Sequence, residues 1–565
     1  MNWAYHGNRQ ASPTLLVEIL QLSKGEVGVD IETVSLEDRT PIGIAFAPNP
    51  EEAFYFPMES PALPWHILTD TRVTKIFHNG HFDVNILNAY KGIKVSNIQD
   101  TIIAGNVLGL PNSLRELSLA LFNSLPPEWK TIDSLLDTYK VKSMLDLPVA
   151  EVATKCCFDA RYAIKCWLKL KNKIPQKAYT NEMALMPVLA NIEQRGMRID
   201  VDRLLAHKVE IETRLEHFNI IGESWGVNFG SNLDVADALM DEGYTVQHKI
   251  ATGNPVLSKE TLEQKYPNEP IAILTRDYRN TRSLLTHNIR PILNKFLKGD
   301  RIYPEILQVI ASTGRLARRK PNTQNIPVSM RDIFIASKGC YLDDRDLSQI
   351  ELRVLAYLVW QATGDKSMQA IFEAGGDIHA GTVQKIDAVS PNILKGDAKE
   401  KRKTAKTLNF GLVYGGDAET LAKQGIPIDM AKELIKTYYQ AFPGVKLYKE
   451  LVWQSLEING YVETMNGKRR LLPDIHHPSK KLREAAKREG FNGVIQGTAG
   501  DIIKEIMVRM ALEPQNNSVH DEIVCEPELG TTIRRDYSQN IAPFPTPMEI
   551  KYGSNWKNVV PVGTS

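Results

Sequence analysis

The chain has 565 residues, too many for one hydrophobic core, since single cores stop growing near roughly 250–300 residues. Hydrophobic residues make up 43% and charged residues 24%, the balance of a globular protein, and no run approaches the ~18–20 apolar residues that cross a bilayer. The 68 basic and 67 acidic residues leave a net charge of +1, so any nucleic-acid contact must come from locally clustered charge rather than overall basicity.

The start, MNWAYHGNRQ, lacks a basic segment followed by an apolar one and reads as no signal peptide. The cysteines Cys156, Cys157, Cys166, Cys340 and Cys525 form no C-x-x-C pair or zinc spacing, and fit reduced thiols in a cytosolic protein. Residues 26–58 alternate in short β-rich runs and predict a three-stranded antiparallel start. KIFHNGHFDVNILNAY then reads as a strand entering a helix, and long helical patterns fill 180–300. CYLDD is a short strand leading into the helix QIELRVLAYLVW. A helix-rich stretch covers 365–510, and SVHDEIVCE at 518–526 is hairpin-like. There is no internal repeat, and no G-x-x-x-x-G-K-[ST] loop of a fused ATPase. The local basic clusters are KGDAKEKRKTAK at 395–406 and KKLREAAKR at 480–488.

Three C-terminal blocks carry chemistry. Asp346 stands where a strand ends and a helix begins. Arg402, Lys406, Phe410 and Tyr414 recur every four residues, so they drift only ~40° per step and share one broad helix face. Asp521 and Glu522 follow His520 inside a short hairpin. Phosphoryl transfer asks for an aligned hydroxyl, charge neutralisation and two cations about 3.5–4 Å apart. Two aspartates from distant segments can hold such a pair. Singly, each block has a bland reading: a helix cap, a solvated cation pair, a core aromatic pair. Together, in this order, they have almost none.

In the N-terminal part, alternation in Val27–Glu32 puts Asp30 and Glu32 on one strand face, about 6.5–7 Å apart, with Val29 and Ile31 on the other. Asp83 begins a helix and Asp159 lies on a later one. Edge solvation and helix capping are the alternatives to a metal site.

The C-terminal blocks resemble motifs A, B and C of family A DNA polymerases. The resemblance extends through Ser312–Leu316, Pro321–Pro327, Gly376–His379, the helix with Arg488, Asn492 and Gln496–Ala499, and Gly553–Trp556, covering nearly all of 185–565. Asp30, Glu32, Asp83 and Asp159 are similar to the carboxylates of the DEDD-type 3′–5′ exonuclease that precedes the polymerase in this family. The fold class so implied is multidomain, α/β and α+β. An RNase H-like exonuclease domain at 1–178 would be followed by a right-hand polymerase: thumb 179–303, palm 304–360 and 494–565, fingers 361–493.

The resemblance also implies roles. Asp346 and Asp521 would bind two Mg²⁺, with Glu522 a lesser catalytic neighbour. His379, Arg402 and Lys406 would hold the dNTP phosphates, Lys406 also protonating pyrophosphate. Phe410 would pack on the nucleotide and disfavour dideoxynucleotides. Gln349, Glu351 and Tyr414 would complete the dNTP pocket, Glu351 and Tyr414 as a gate against a 2′-hydroxyl. Arg315, Gln324, Asn325, Arg488, Asn492, Gln496 and His520 would contact DNA. Arg315, Asn492, Gln496 and His520 would do so in the minor groove, whose acceptors sense pair shape without reading sequence. Asp30, Glu32, Asp83 and Asp159 would bind two divalent ions.

Primer-template DNA and dNTPs are the implied partners of a monomer with no membrane. It would work in the cytoplasm of a bacterium or phage-infected host, and any processivity factor is unspecified. Only about thirty residues precede Asp30, too few for a 5′-nuclease domain, which fits a phage enzyme.

Three departures stand out. Leu347 replaces the usual Tyr after Asp346, and the stretch 511–543 is short. Lys155 and Thr154 occupy the positions where the exonuclease normally has a Tyr or His that orients water. A cation is a poor general base there, so a slowed exonuclease is expected. An RNA polymerase is the main rival reading, opposed by Glu351. A scaffold with a decayed site is the other, opposed by the survival of Asp346, Asp521, Arg402 and Lys406.

Overall fold

The structure is a computed structural model that describes residues 2–5, 19–531 and 536–561. Most of the stretch read as lacking a leader, and part of the short segment 511–543, lie outside the described residues.

The N-terminal part is built on a six-stranded sheet. Its strands are β1 (Asn2–Tyr5), β2 (Glu26–Thr33), β3 (Pro41–Ala47), β4 (Glu52–Pro57), β5 (Thr74–Phe77) and β6 (Ile98–Asp100), in the order β1-β4-β3-β2-β5-β6. The β2-β3-β4 meander is antiparallel, as the alternation predicts. The flanking pairs β1-β4, β2-β5 and β5-β6 are parallel. Helix α1 (Gly80–Lys91) follows β5.

Helix α2 (Val149–Leu170) crosses the sheet face that carries Asp30 and Glu32. Gly28 lets it come close: a Cβ there would stand 2.1 Å from the carbonyl oxygen of Ala160. Val29 and Ile31 face the opposite layer with Ile44, Phe46 and Leu87. The two-face reading of β2 therefore holds, but the carboxylate face is roofed by a helix rather than solvated.

Helix α3 (Gln176–Arg195) joins the two halves. Its Ala178, Tyr179 and Met186 enter the N-terminal core, whereas Leu185, Val188, Leu189 and Ile192 enter the large C-terminal one. Helix α4 (Val201–Trp225) and helix α5 (Pro270–Ser283) follow. Their far ends hold a small core of Phe218, Phe229, Val235, Leu239 and Leu262.

The C-terminal sheet is antiparallel. It contains β7 (Leu342–Leu347), β8 (Gln515–Val519), β9 (Glu522–Cys525), β10 (Met548–Gly553) and β11 (Val560–Pro561), ordered β8-β9-β7-β10-β11. Between β7 and β8 lie helices α6 (Ile350–Thr363), α7 (Ile378–Val389), α8 (Ala398–Val413) and the 30-residue α9 (Lys480–Arg509). Helix α8 starts at a full capping box. The Asp397 side chain accepts from Glu400 N–H, and the Glu400 side chain accepts from Asp397 N–H. Among the described residues no helix is long and apolar enough to cross a membrane.

Candidate active sites in two parts of the chain

The C-terminal site forms where β7 ends against the β8-β9 hairpin. Val519 pairs with Glu522, so His520 and Asp521 make a two-residue hairpin tip, with His520 at φ +53°. The N–H of Leu347 donates to the Asp521 carbonyl at 3.1 Å, and Asp346 pairs in register with Glu522. Two carboxylates separated by 175 positions in the sequence thus meet on one floor. Burial, reinforced by Asp521 and Glu522, pushes the Asp346 carboxyl up to about 6. Burial also raises Asp521, against the pull of Arg315 and His520.

Glu522, the cross-strand partner of Asp346, lies on the same side of the sheet as Asp344 and Asp346 and adds to the rise of both. It accepts from Arg331 at 3.1 Å and from the indole of Trp556.

A third carboxylate, Asp344, lies two residues before Asp346 and therefore on the same face of β7. It is buried, its Oδ1 meets no hydrogen-bond partner among the described residues, and burial together with Glu522 raises it to about 8. The i, i+2 spacing in Asp344-Arg345-Asp346 was the available signal, and sequence reasoning missed it.

Above the floor, α8 presents its face as expected. Arg402 and Lys406 are exposed, and the Phe410 and Tyr414 rings stack with centroids 6.2 Å apart. Arg402 is steered by a fork to Asp377, at 2.7 and 3.1 Å, and Asp377 also accepts from Gln349 at 3.2 Å. His379 sits beneath, 5.7 Å from the Phe410 ring, with Nδ1 3.1 Å from the Asn409 amide. At 2% exposure it supports the face rather than standing on it beside Arg402.

Glu351 is buried and pairs with Arg315, which lies 3.8 Å from Asp521. Tyr414 bonds to Glu351 and Gln496. Gly415, at φ +70°, brings the end of α8 onto α9, where a Cβ would stand 2.9 Å from the Cα of Arg488. Arg488, Asn492 and Gln496, four apart on α9, share one face, and the Asn492 amide nitrogen is buried without a partner among the described residues. Gln324 is tied to the Leu316 carbonyl at 3.0 Å, while Asn325 and His520 are exposed.

The N-terminal site brings together Asp30 and Glu32 on β2, Asp83 on α1 and Asp159 on α2. Asp83 accepts from the N–H of Ile31 at 3.2 Å. Burial raises Asp30 well above the carboxylate range, and Asp159 and Glu32 add to it. Burial raises Glu32 and Asp83 too. Asp100, at the end of β6, accepts from the N–H groups of Asn79 and Gly80 and sets the start of α1.

Both carboxylate sets suit hard divalent cations such as Mg²⁺, which take oxygen ligands. The orphaned Oδ1 of Asp344 and Oδ2 of Asp30 are buried acceptors that a cation would satisfy. Ligand atoms of Asp30, Glu32 and Cys156 lie within 4.8 Å of one another.

The family model described as DNA polymerase family A matches residues 202–558, more than half of the chain. The chain belongs to DNA polymerase family A. A second model, described as 3′–5′ exonuclease, matches residues 9–174. DNA polymerase I of Chloroflexus aurantiacus is 31% identical, the match covering 92% of this chain and 60% of that protein. The thermostable DNA polymerase I of Thermus filiformis is 34% identical over 71% of this chain and 50% of its own length. The chain thus spans between half and three fifths of these family A relatives. The POL domain of Pol1 from M. smegmatis, solved in complex with DNA primer-template and dNTP, superposes with a TM-score of 0.81 at 23% identity. That match covers 98% of this chain and all of the other, and it establishes the same fold.

Proposed function

We propose that this chain is a template-directed DNA polymerase that adds deoxynucleotides to a primer 3′ end, with a 3′–5′ exonuclease as its N-terminal unit. The observation that carries the reading is the convergence of Asp346 and Asp521 beneath the Arg402–Lys406–Phe410–Tyr414 face. Residues 1–178 would be the exonuclease unit, 179–303 the thumb, 304–360 with 494–565 the palm, and 361–493 the fingers. Helix α3 contributes to both cores, so the first boundary falls within a shared helix rather than a linker.

Asp346 and Asp521 would hold two Mg²⁺, which supply charge neutralisation and a more acidic primer hydroxyl. The chain's own residues do the positioning. Arg402, held by Asp377, and Lys406 would grip the triphosphate with charge-assisted bonds. Lys406 would also give a proton to departing pyrophosphate. Phe410 would pack on the nucleoside. Glu351, fixed between Arg315 and Tyr414, would fill the space a 2′-hydroxyl needs. Arg315, Gln324, Asn325, Arg488, Asn492, Gln496 and His520 would line the primer-template.

The test is extension of a labelled primer with dNTPs and Mg²⁺. Products whose lengths and sequence follow the template support the reading. No extension with Mg²⁺ or Mn²⁺, under conditions where primer-template is bound, contradicts it.

A further inference from the structure

The N-terminal carboxylate cluster already contains a cation of its own. Lys155 stands one helical turn before Asp159 on α2, so both side chains leave the same face toward β2. Its Nζ donates to Glu32 Oε1 and to Asp159 Oδ2, each at 2.6 Å, and the side chain is only 12% exposed. Contacts this short between an ammonium and two carboxylates are the charge-assisted kind.

The neighbours lock the arrangement. The indole N–H of Trp129 donates to the other oxygen of Asp159 at 2.6 Å, and the Cys156 thiol donates to the Asp30 carbonyl at 3.4 Å. Both Asp159 oxygens are therefore engaged. By contrast, Asp30 Oδ2 meets no donor among the described residues.

We propose that the Lys155 ammonium stands in for one of the two divalent ions of this centre, neutralising Glu32 and Asp159 from within. With Lys155 in place the cluster takes up at most one divalent cation, on the Asp30 side. The inference rests on the exonuclease reading, which supplies the expectation of two ions. A divalent ion bound by both Glu32 and Asp159 must sit between their oxygens, and Nζ is already there. The second ion would also bring two more positive charges beside a buried ammonium, in surroundings that screen weakly. An ammonium neutralises carboxylates as an ion does, but it has no open coordination position for a water molecule. Lys155 thus offsets one negative charge of the cluster without metal, and restrains hydrolysis by occupying the seat of an ion.

The experiment counts Mn²⁺ bound to the full-length chain, from the free-ion electron paramagnetic resonance signal. It compares wild type, Lys155→Met and Lys155→Tyr, each with and without Asp30→Ala. Both Lys155 variants are expected to bind one more Mn²⁺ per chain than wild type, held between Glu32 and Asp159, and Asp30→Ala is expected to remove any ion held on the Asp30 side. Retained primer extension certifies the fold of each preparation, and Lys155→Tyr carries the test if Lys155→Met is poorly folded. Two Asp30-dependent Mn²⁺ in wild type, bound as tightly as in Lys155→Met, overturn the proposal. Degradation of a labelled single strand separates it from the reading beneath. An extra ion in Lys155→Tyr without DNA degradation sinks the exonuclease reading and leaves Lys155 in the ion's seat. Degradation by a wild type holding two Asp30-dependent ions does the reverse.

Discussion

The Leu347 N–H donates to the carbonyl of Asp521 at 3.1 Å, and that one bond ties the end of β7 to the tip of the β8-β9 hairpin. It fixes Asp346, one residue before Leu347, beside Asp521. The Leu347 side chain points into the large C-terminal core at 2% exposure. The residue therefore serves the site through its backbone, which explains how Leu can stand where relatives of the motif have Tyr.

Glu351 is expected to set sugar selectivity. Its carboxylate is buried and held by Arg315 and Tyr414, so Glu351→Ala opens a cavity where a 2′-hydroxyl would otherwise collide. The ratio of kcat/KM for ribonucleotides over deoxynucleotides should rise by roughly 10–200-fold, the range one pocket contact supplies. The check is single-nucleotide incorporation with matched rNTP and dNTP. An unchanged ratio contradicts the gate.

Arg402 is expected to act on nucleotide binding. Asp377 aims its guanidinium with two bonds, so the charge is already oriented when a triphosphate arrives. Removing a hydrogen bond to a charged group costs about 1.5–3 kcal/mol, roughly 10–100-fold. Arg402→Ala should raise KM for dNTP by about that factor and change kcat less. Arg402→Lys should recover little, because an ammonium cannot make the fork to Asp377. Steady-state extension over a range of dNTP concentrations reads both.

Glu182 on α3 is the anion between two buried cations. Lys504 and Lys468 donate to its Oε1 at 2.7 and 2.9 Å. Burial pulls the Glu182 carboxyl up, but the two ammonium groups outweigh it and hold the group at about 2. Lys468 is held up by Glu182 and Asp501 against burial, whereas burial wins at Lys504. The near-equal distances lead us to treat both as charged. A carboxyl whose folded value lies below its ordinary 4.5 contributes stability above that pH. The contribution is lost as pH falls from about 4.5 toward about 2. Glu182→Gln should therefore lose about 3–5 kcal/mol at neutral pH. The gap in melting temperature from wild type should narrow as pH falls below 4.5. Melting followed by circular dichroism at pH 7 and pH 3.5 tests this. A gap that stays constant contradicts the assignment.

Much of this was legible in the sequence where chemistry and local periodicity coincide. The four-residue spacing of Arg402, Lys406, Phe410 and Tyr414 fixed a helix face, and the alternation around Asp30 fixed a strand face. What could not be read was pairing across the chain. Glu182 meets Lys504 because α3 packs against α9, 322 residues later, and Lys468 reaches it from a turn ahead of α9, 286 residues later. Lys155 looked like a poor water-orienting group. That it bridges Glu32 and Asp159 depends on how closely α2 crosses β2, which Gly28 permits but does not announce. Asp377 stands in the sequence only as part of the Gly376–His379 stretch, and its grip on Arg402 depends on the fold. The parallel pairing of β1 with β4 also escaped, since four residues beside an uninformative segment carry no register signal.

The most direct measurement compares primer extension by wild type, Asp346→Ala and Asp521→Ala with dNTPs and Mg²⁺, alongside primer-template binding by fluorescence anisotropy. Each substitution should slow extension by roughly a thousandfold or more, about 4 kcal/mol of transition-state stabilisation, while DNA affinity stays within a few-fold. Extension surviving in either variant at near wild-type rate would show that the paired carboxylates are not the catalytic floor, and would contradict the account.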